Sequence, residues 1–267
     1  MKLKINMVGG GFQHEVCSSA GSIPKYVEWV KDRSANVSIH IDWDIFSVLP
    51  EDKFKTKYAW IAESSAINEK VIEKVKSNID ELNNTYELIF THDKRLLNLS
   101  PKMRFVIANC VPWVKDYGIH TKTKMTSMIS SNKNMLPGHL YRLSWIRRLS
   151  GSGIHLYGSG FNRIENKEQG IKDYRFSIAM ENDNYPSIFT EKITDCFVLG
   201  TVPVFWGTPD IGEYFNENGI ILLTEDFDYK SLTTDLYESK MEYIKENYER
   251  ALELPISEDY IYLNYLK

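Results

Sequence analysis

The stretch YRFSIAMENDNYPSIFTEKITDCFVLGTVPVFWG, residues 174–207, decides the fold. Tyr174 to Met180 is an apolar run of strand length, and Val202 to Trp206 is another. Between them a polar loop leads into Thr190–Leu199, apolar at helical spacing and stopped by Gly200. Strand, loop, helix and strand in that order is a parallel crossover. In an open parallel sheet, ligands bind beyond the carboxyl ends of the strands, where helix N-termini also point. Glu181 and Asn182 stand at the first strand's end, and Thr190, Glu191 and Lys192 open the helix. The unpaired N–H groups and dipole of a helix start favour an anion such as a diphosphate. Lys192 adds a full positive charge, and Glu191 can accept hydrogen bonds from hydroxyls. A plainer reading of the same residues is a Thr190 cap with Glu191 at the helix's positive end.

The alternation continues on the N-terminal side of this unit. Met125–Ile129 reads as a strand, His139–Leu149 as a helix and Ile154–Tyr157 as a strand. Further upstream, Lys4–Val8 is a first strand running into Gly9-Gly10-Gly11, and Pro24–Lys31 is a short helix with proline in its first turn. Val37–Ile45 alternates apolar and polar residues, with Val37, Ile39, Ile41, Trp43 and Ile45 on one face. Tyr58–Ala62 is a strand, Asn68–Leu82 a helix, and Tyr86–Phe90 and Arg104–Asn109 are further strands. The pattern lapses around residues 112–121, which places a linker there. Ser231–Leu252 reads as a closing helix with one or two breaks. The expected organisation is two α/β domains, residues 1–115 and 116–267, each with a parallel sheet.

Composition narrows the classes further. The chain has 267 residues, 43% hydrophobic and 25% charged, as in ordinary globular proteins. A formal net charge of −4 argues against nucleic acid as the main partner. The opening MKLKINMVGGGF is neither a signal peptide nor a membrane anchor, and no later run approaches a membrane span. Three scattered cysteines, Cys17, Cys110 and Cys196, make no disulfide framework, so a reducing, cytoplasmic setting is expected.

The 174–207 run resembles the C-terminal signature of the α1,3-fucosyltransferases, in which F-E-N leads through a loop to T-E-K and then to G-x-V-P-V. Here the elements are Met180-Glu181-Asn182, Thr190-Glu191-Lys192 and Gly200-Thr201-Val202-Pro203-Val204, without a gap. The relatives' Phe is Met180, and an aromatic two residues before Thr190 is Ile188. The resemblance implies a GT-B-like fold, two Rossmann-like α/β domains facing a central cleft, with acceptor side first and donor side second. It also implies that Glu191 and Lys192 hold the ribose and diphosphate of a GDP-sugar. Residues 122–149 resemble the family's opening of the donor domain, where Ser131 and Asn132 match. The family's phosphate-binding arginine would fall near Gly138, and Arg142, one helical turn on, is the nearest candidate; a solvated helix cation is the alternative. Gly158 in LYGSG fits the family's Y-G, and Lys167 has a weaker claim.

The N-terminal half is less similar. In YAWIAESS, Glu63 follows an apolar strand, where the family places a carboxylate thought to act as general base. His14, after the glycine loop, is the rival base, and His92 with Asp93 is a weaker acceptor-side candidate. The implied reaction is an inverting transfer of a sugar, L-fucose by family expectation, from a GDP-sugar to a glycan hydroxyl, with no obligatory metal. Asp42-Trp43-Asp44 has the D-x-D form that holds metal and diphosphate in another transferase class, which keeps a metal site open as an alternative. A hydrolase using two carboxylates, a non-catalytic GDP-sugar-binding relative and a different nucleotide sugar are the other readings.

Overall fold

The computed structural model describes residues 2–9, 17–47 and 55–267; His14 lies outside them. The chain divides into two compact units, one made of Met1–Asn109 with Pro255–Lys267, the other of Cys110–Leu254. Each holds one wholly parallel sheet among its described strands.

The first unit contains β1 (Leu3–Val8), β2 (Val27–Val30), β3 (Val37–Ile41), β4 (Thr56–Ile61), β5 (Leu88–Thr91) and β6 (Met103–Phe105), with α1 (Glu69–Ser77) and α2 (Ile79–Thr85). The strand order is β2-β1-β3-β4-β5-β6, so the chain reverses its direction of travel between β1 and β3. Successive residues point to opposite faces. Ala59, Ile61 and Ile89 therefore pack with Val71, Ile72, Val75 and Leu82 of the helices, while Trp60 and Phe90 join the core on the other face. That second face is covered by the end of the chain: α8 (Ser257–Ile261) puts Ile261 against Ile5, Val27, Ile39 and Trp60. Buried carboxylates fasten it. Glu258 accepts from Ser18 N and Oγ, both at 2.7 Å, and Asp259 from the N–H groups of Lys25 and Tyr26 at 2.9 and 3.1 Å.

The second unit contains β7 (Lys124–Ile129), α3 (Pro137–Arg148), β8 (His155–Tyr157), α4 (Glu168–Ile171), β9 (Tyr174–Met180), α5 (Glu191–Val198), β10 (Val202–Trp206) and β11 (Ile221–Leu222), then α6 (Thr234–Ser239) and α7 (Met241–Glu253). Its order, β11-β10-β9-β7-β8, places the reversal between β7 and β9. Phe176, Ile178, Val202, Val204 and Phe205 are at most 2% exposed, so the apolar runs in this sequence are its central strands.

Three expectations are corrected. Pro24–Lys31 is not a helix, because Val27, Trp29 and Val30 pair as an edge strand with β1, and Val27 is buried in the core. The alternating run ends at Ile41, where Asp42 turns the chain with φ +53° and 42–46 coil into a 3-10 turn. Trp43 is consequently half exposed rather than facing a core. The closing segment 255–267 packs with the first unit, which departs from a simple division at 115/116.

Candidate functional site

The reversal between β7 and β9 opens a pocket of about 400 Å³ in the second unit, a size suited to a small-molecule ligand. Its walls come from the ends of the two strands (Ser130, Ser131, Met180, Asn182), from α3 (His139, Arg142) and from α5 (Glu191, Lys192, Asp195). Gly158, after β8, closes one side with φ +109°. A Cβ there would overlap the Ser130 carbonyl oxygen, so no other residue lets this turn lie against the end of β7.

The electrostatics are those of an anion site. Arg142 is 5% exposed, its longest-reaching contact is Nη1 to Asn182 Oδ1 at 3.4 Å, and Nε is buried without a hydrogen-bond partner. Among the described residues it makes no ion pair. Burial lowers its pKa, with Glu181 nearby opposing that shift, yet a guanidinium remains charged throughout the neutral range. A buried cation without a counterion is costly unless an anion completes it.

Lys192 is organised differently. Its Nζ donates to Glu181 Oε2 at 2.9 Å and to Thr190 Oγ1 at 2.8 Å, leaving one of three ammonium donors for a ligand. Glu181, 1% exposed, also accepts from Thr190 N at 2.8 Å and from Thr190 Oγ1. Thr190 thus precedes α5 without a side-chain cap bond, its hydroxyl being spent on Glu181. Glu181 and Thr190 sit behind Lys192 as its mount, whereas Glu191 and Lys192 reach the pocket wall.

Glu191 and Asp195, one turn apart on α5, share Lys167 Nζ at 2.9 and 2.8 Å. Burial raises the Glu191 pKa, but the Lys192 and Lys167 ammoniums outweigh it and hold it near about 2. Asp195 is fully buried and also accepts from Trp113 N at 2.7 Å and Val114 N at 3.2 Å, and burial pushes its carboxyl up. Lys167 lies over the Trp113 ring, 4.5 Å from its centroid.

Of the residues expected from sequence, the pocket brings together Ser131, Arg142, Gly158, Asn182, Glu191 and Lys192. Asn132 is exposed beside it, donating its backbone N–H to Ser159 O at 2.9 Å. Ile188 is buried away from the lining, while Met180 forms part of it. Sequence reasoning passed over His139 and Asp195. The signal for His139 was its i, i+3 spacing to Arg142 behind Pro137, which starts the helix.

In the first unit, Glu63 is exposed at the end of β4. Asp42 Oδ1 accepts from Ala62 N at 2.9 Å and Glu63 N at 3.3 Å, so the first aspartate of the D-x-D run fastens the strand end. Burial raises its pKa to about 6. Gly9 stands against Asp44, whose carboxylate a Cβ would strike. His92 follows β5, and burial lowers its pKa to about 4, so its ring is neutral. Among the described residues, no three His, Cys, Asp or Glu side chains cluster as a metal site. No described helix is long and apolar enough to cross a membrane.

A pocket with Arg142 and Lys192 at the switch point of a parallel sheet puts the second unit among the open α/β folds, which hold ligands at that place. Residues 119–252 match the family model for glycosyltransferase family 10 (fucosyltransferase), C-terminal part, and the chain belongs to that family. An alpha-(1,3)-fucosyltransferase of Helicobacter pylori is 27% identical over 157 residues, 57% of this chain and 32% of that protein. The human 4-galactosyl-N-acetylglucosaminide 3-alpha-L-fucosyltransferase 9 is 28% identical over 183 residues, 66% of this chain and 48% of that protein. The chain therefore spans a third to a half of the length of these relatives. Among solved structures, an alpha1,3-fucosyltransferase with GDP-fucose aligns at a TM-score of 0.51 and 15% identity, over 95% of this chain and 82% of that one. An alpha-glucosyltransferase in complex with UDP aligns at 0.56 and 13%, over 99% and 98%. These likenesses establish a GT-B-like α/β fold.

Proposed function

We propose that the chain is an inverting glycosyltransferase that moves a sugar, L-fucose, from a GDP-sugar to a hydroxyl of a glycan acceptor. The observation that carries this reading is Arg142, a buried cation without an ion-pair partner among the described residues, lining the pocket beside Lys192 of the family's signature segment. A nucleoside diphosphate would complete both cations, and Glu191 would accept from ribose hydroxyls. As the bond to the anomeric carbon breaks, negative charge grows on the departing diphosphate. Arg142, the remaining Lys192 donor and the start of α5 would stabilise it, and losing one such preorganised contact costs roughly 3–4 kcal/mol of transition-state stabilisation.

Glu63 is our choice of general base, taking the proton from the attacking hydroxyl, a role that contributes roughly 10²–10⁴ in rate. The cations of the donor pocket supply charge stabilisation without an obligatory metal. Three free, buried cysteines accord with a reaction in a reducing compartment, the cytoplasm.

Calorimetric titration with GDP, UDP and GDP-fucose, with and without EDTA, tests the donor site. GDP ligands should bind, insensitively to EDTA, and Lys192→Ala should abolish measurable binding. Preference for UDP or a strict metal requirement would overturn the choice of donor. Glu63→Gln should abolish turnover with GDP affinity within a few-fold, and unchanged turnover would remove Glu63 from the mechanism.

A further inference from the structure

His139 sits in the first turn of α3, behind Pro137 and Gly138. A Cβ on Gly138 would overlap the Asn182 carbonyl oxygen, so glycine is what lets this helix begin directly against the loop after β9. That close approach sets the imidazole in the pocket wall with Ser131, Asn182 and Lys192. The ring is 4% exposed, and its Nδ1 is buried without a hydrogen-bond partner. An unsatisfied buried group of this kind costs roughly 1–3 kcal/mol, a penalty that a ligand atom can relieve.

The charged groups facing the ring are all cations: Arg142 from its own helix, Lys133 from the preceding loop and Lys192 from α5. Asn182 is its neutral hydrogen-bonding neighbour. Burial first, then Arg142 and Lys133, lower the His139 pKa, so the ring is neutral at pH 7 before any ligand binds.

We propose that His139 is a further contact for the donor's diphosphate and takes up a proton from solvent as that diphosphate binds. The inference rests on the reading of this pocket as a nucleoside-diphosphate site. Phosphate charge beside the ring reverses a balance now set by three cations, favouring the imidazolium. A protonated ring donates from both nitrogens, so it can serve a phosphate oxygen as well as its Asn182 neighbour. Binding linked to one proton weakens by up to about tenfold per pH unit where uptake is complete. The histidine thereby makes donor affinity pH-sensitive at a site whose other cations, Arg142 and Lys192, stay charged.

The test is calorimetric titration of the full chain with GDP at pH 6.5, 7.5 and 8.5, in HEPES and in Tris, whose different ionisation enthalpies report proton uptake. GDP's own terminal phosphate also titrates near pH 6, so wild type is compared with variants rather than read alone. Wild type should take up more protons per GDP than H139Q. H139Q should bind about tenfold more weakly at pH 6.5, with the gap closing at pH 8.5. H139R carries a permanent charge; it should keep near-wild-type affinity at pH 6.5 without the proton uptake, showing that a folded protein needs only the charge. Equal uptake in wild type and both variants, with affinities within twofold at every pH, would overturn the proposal and leave the nucleotide site standing. Failure of the folded wild type to bind GDP at any of these pH values would overturn both.

Discussion

Replacing Glu181 by Gln separates the mount of the donor pocket from its ligand-binding surface. The carboxylate is 1% exposed and accepts from Thr190 N at 2.8 Å, from Thr190 Oγ1 and from Lys192 Nζ at 2.9 Å. A glutamine carbonyl can keep the Thr190 contacts, but its amide then meets the Lys192 ammonium donor to donor. Breaking a buried ion pair by removing one partner costs roughly 3–5 kcal/mol. The Lys192 side chain is 27% exposed and keeps Glu191 Oε1 at 4.0 Å, which argues for the lower end, about 3 kcal/mol. At roughly 2–4 °C per kcal/mol for a domain of this size, the melting temperature should fall by about 6–12 °C. Chemical denaturation followed by circular dichroism gives the free energy, and thermal melts give the shift. Because E181Q/K192M removes the buried ammonium that E181Q leaves without its carboxylate, the double variant should recover most of the stability. A loss below about 0.5 kcal/mol for E181Q, or a double variant no more stable than E181Q, would refute the assignment of Glu181 as the mount of Lys192.

Two further predictions concern pH. Glu191 is held near about 2 in the folded protein against an ordinary 4.5, so its ionised form stabilises the fold above pH 4.5 and that stability drains away as pH falls towards 2. E191Q should therefore be less stable than wild type by about 3 kcal/mol at pH 7, the difference shrinking to nothing near pH 2 in denaturation series. Asp42 has the opposite sign: its folded pKa, raised to about 6 from 3.8, means full stability below pH 3.8 and loss as pH rises through 6. D42N keeps an acceptor for Ala62 N and a residue type that tolerates φ +53°. It should be about 3 kcal/mol more stable than wild type at pH 8 and little different at pH 3.5. A stabilisation independent of pH would show that relief of the buried charge is not its cause.

Much of the second unit was legible because its signals are local. Apolar runs of strand length bracketed a helix with an amphipathic period, and the polar residues between them had to fall at strand ends and a helix start. Glu191, Lys192 and Asn182 could be named on those grounds, and Arg142 from the family resemblance of residues 122–149. His139 carried only its i, i+3 spacing to Arg142, and a buried imidazole in a helix reads as core until it is seen in the wall of a pocket. Nor does periodicity say which sheet a helix covers. Residues 255–267 follow the second unit in sequence, yet Ser257, Glu258 and Asp259 satisfy backbone and side-chain groups of the first. The strand at Val27–Val30 depends on pairing with β1, and the turn at Asp42 on backbone donors twenty residues away, so neither had a local signature.

What the topology adds is two equivalent places that carry different side chains. Each unit has one reversal of strand order, the place where an open parallel sheet leaves a crevice. At the reversal in the second unit the chain assembles Arg142 and Lys192, with Lys133, His139 and the Lys167-paired Glu191 and Asp195 alongside, and among the described residues Arg142 has no ion-pair partner. In the first unit, Asp42 and Asp44 stand at the reversal, and the Asp42 carboxylate holds the backbone N–H of Glu63 at the neighbouring strand end. Under the proposed function the second reversal would hold the departing diphosphate and the first would supply the carboxylate that takes the acceptor's proton. A hydrolase would need its two carboxylates across a single bond, and a simple binding module would have no use for that base. On the proposed function, Arg142, buried and without an ion-pair partner among the described residues, is the feature that most favours a nucleotide-linked donor.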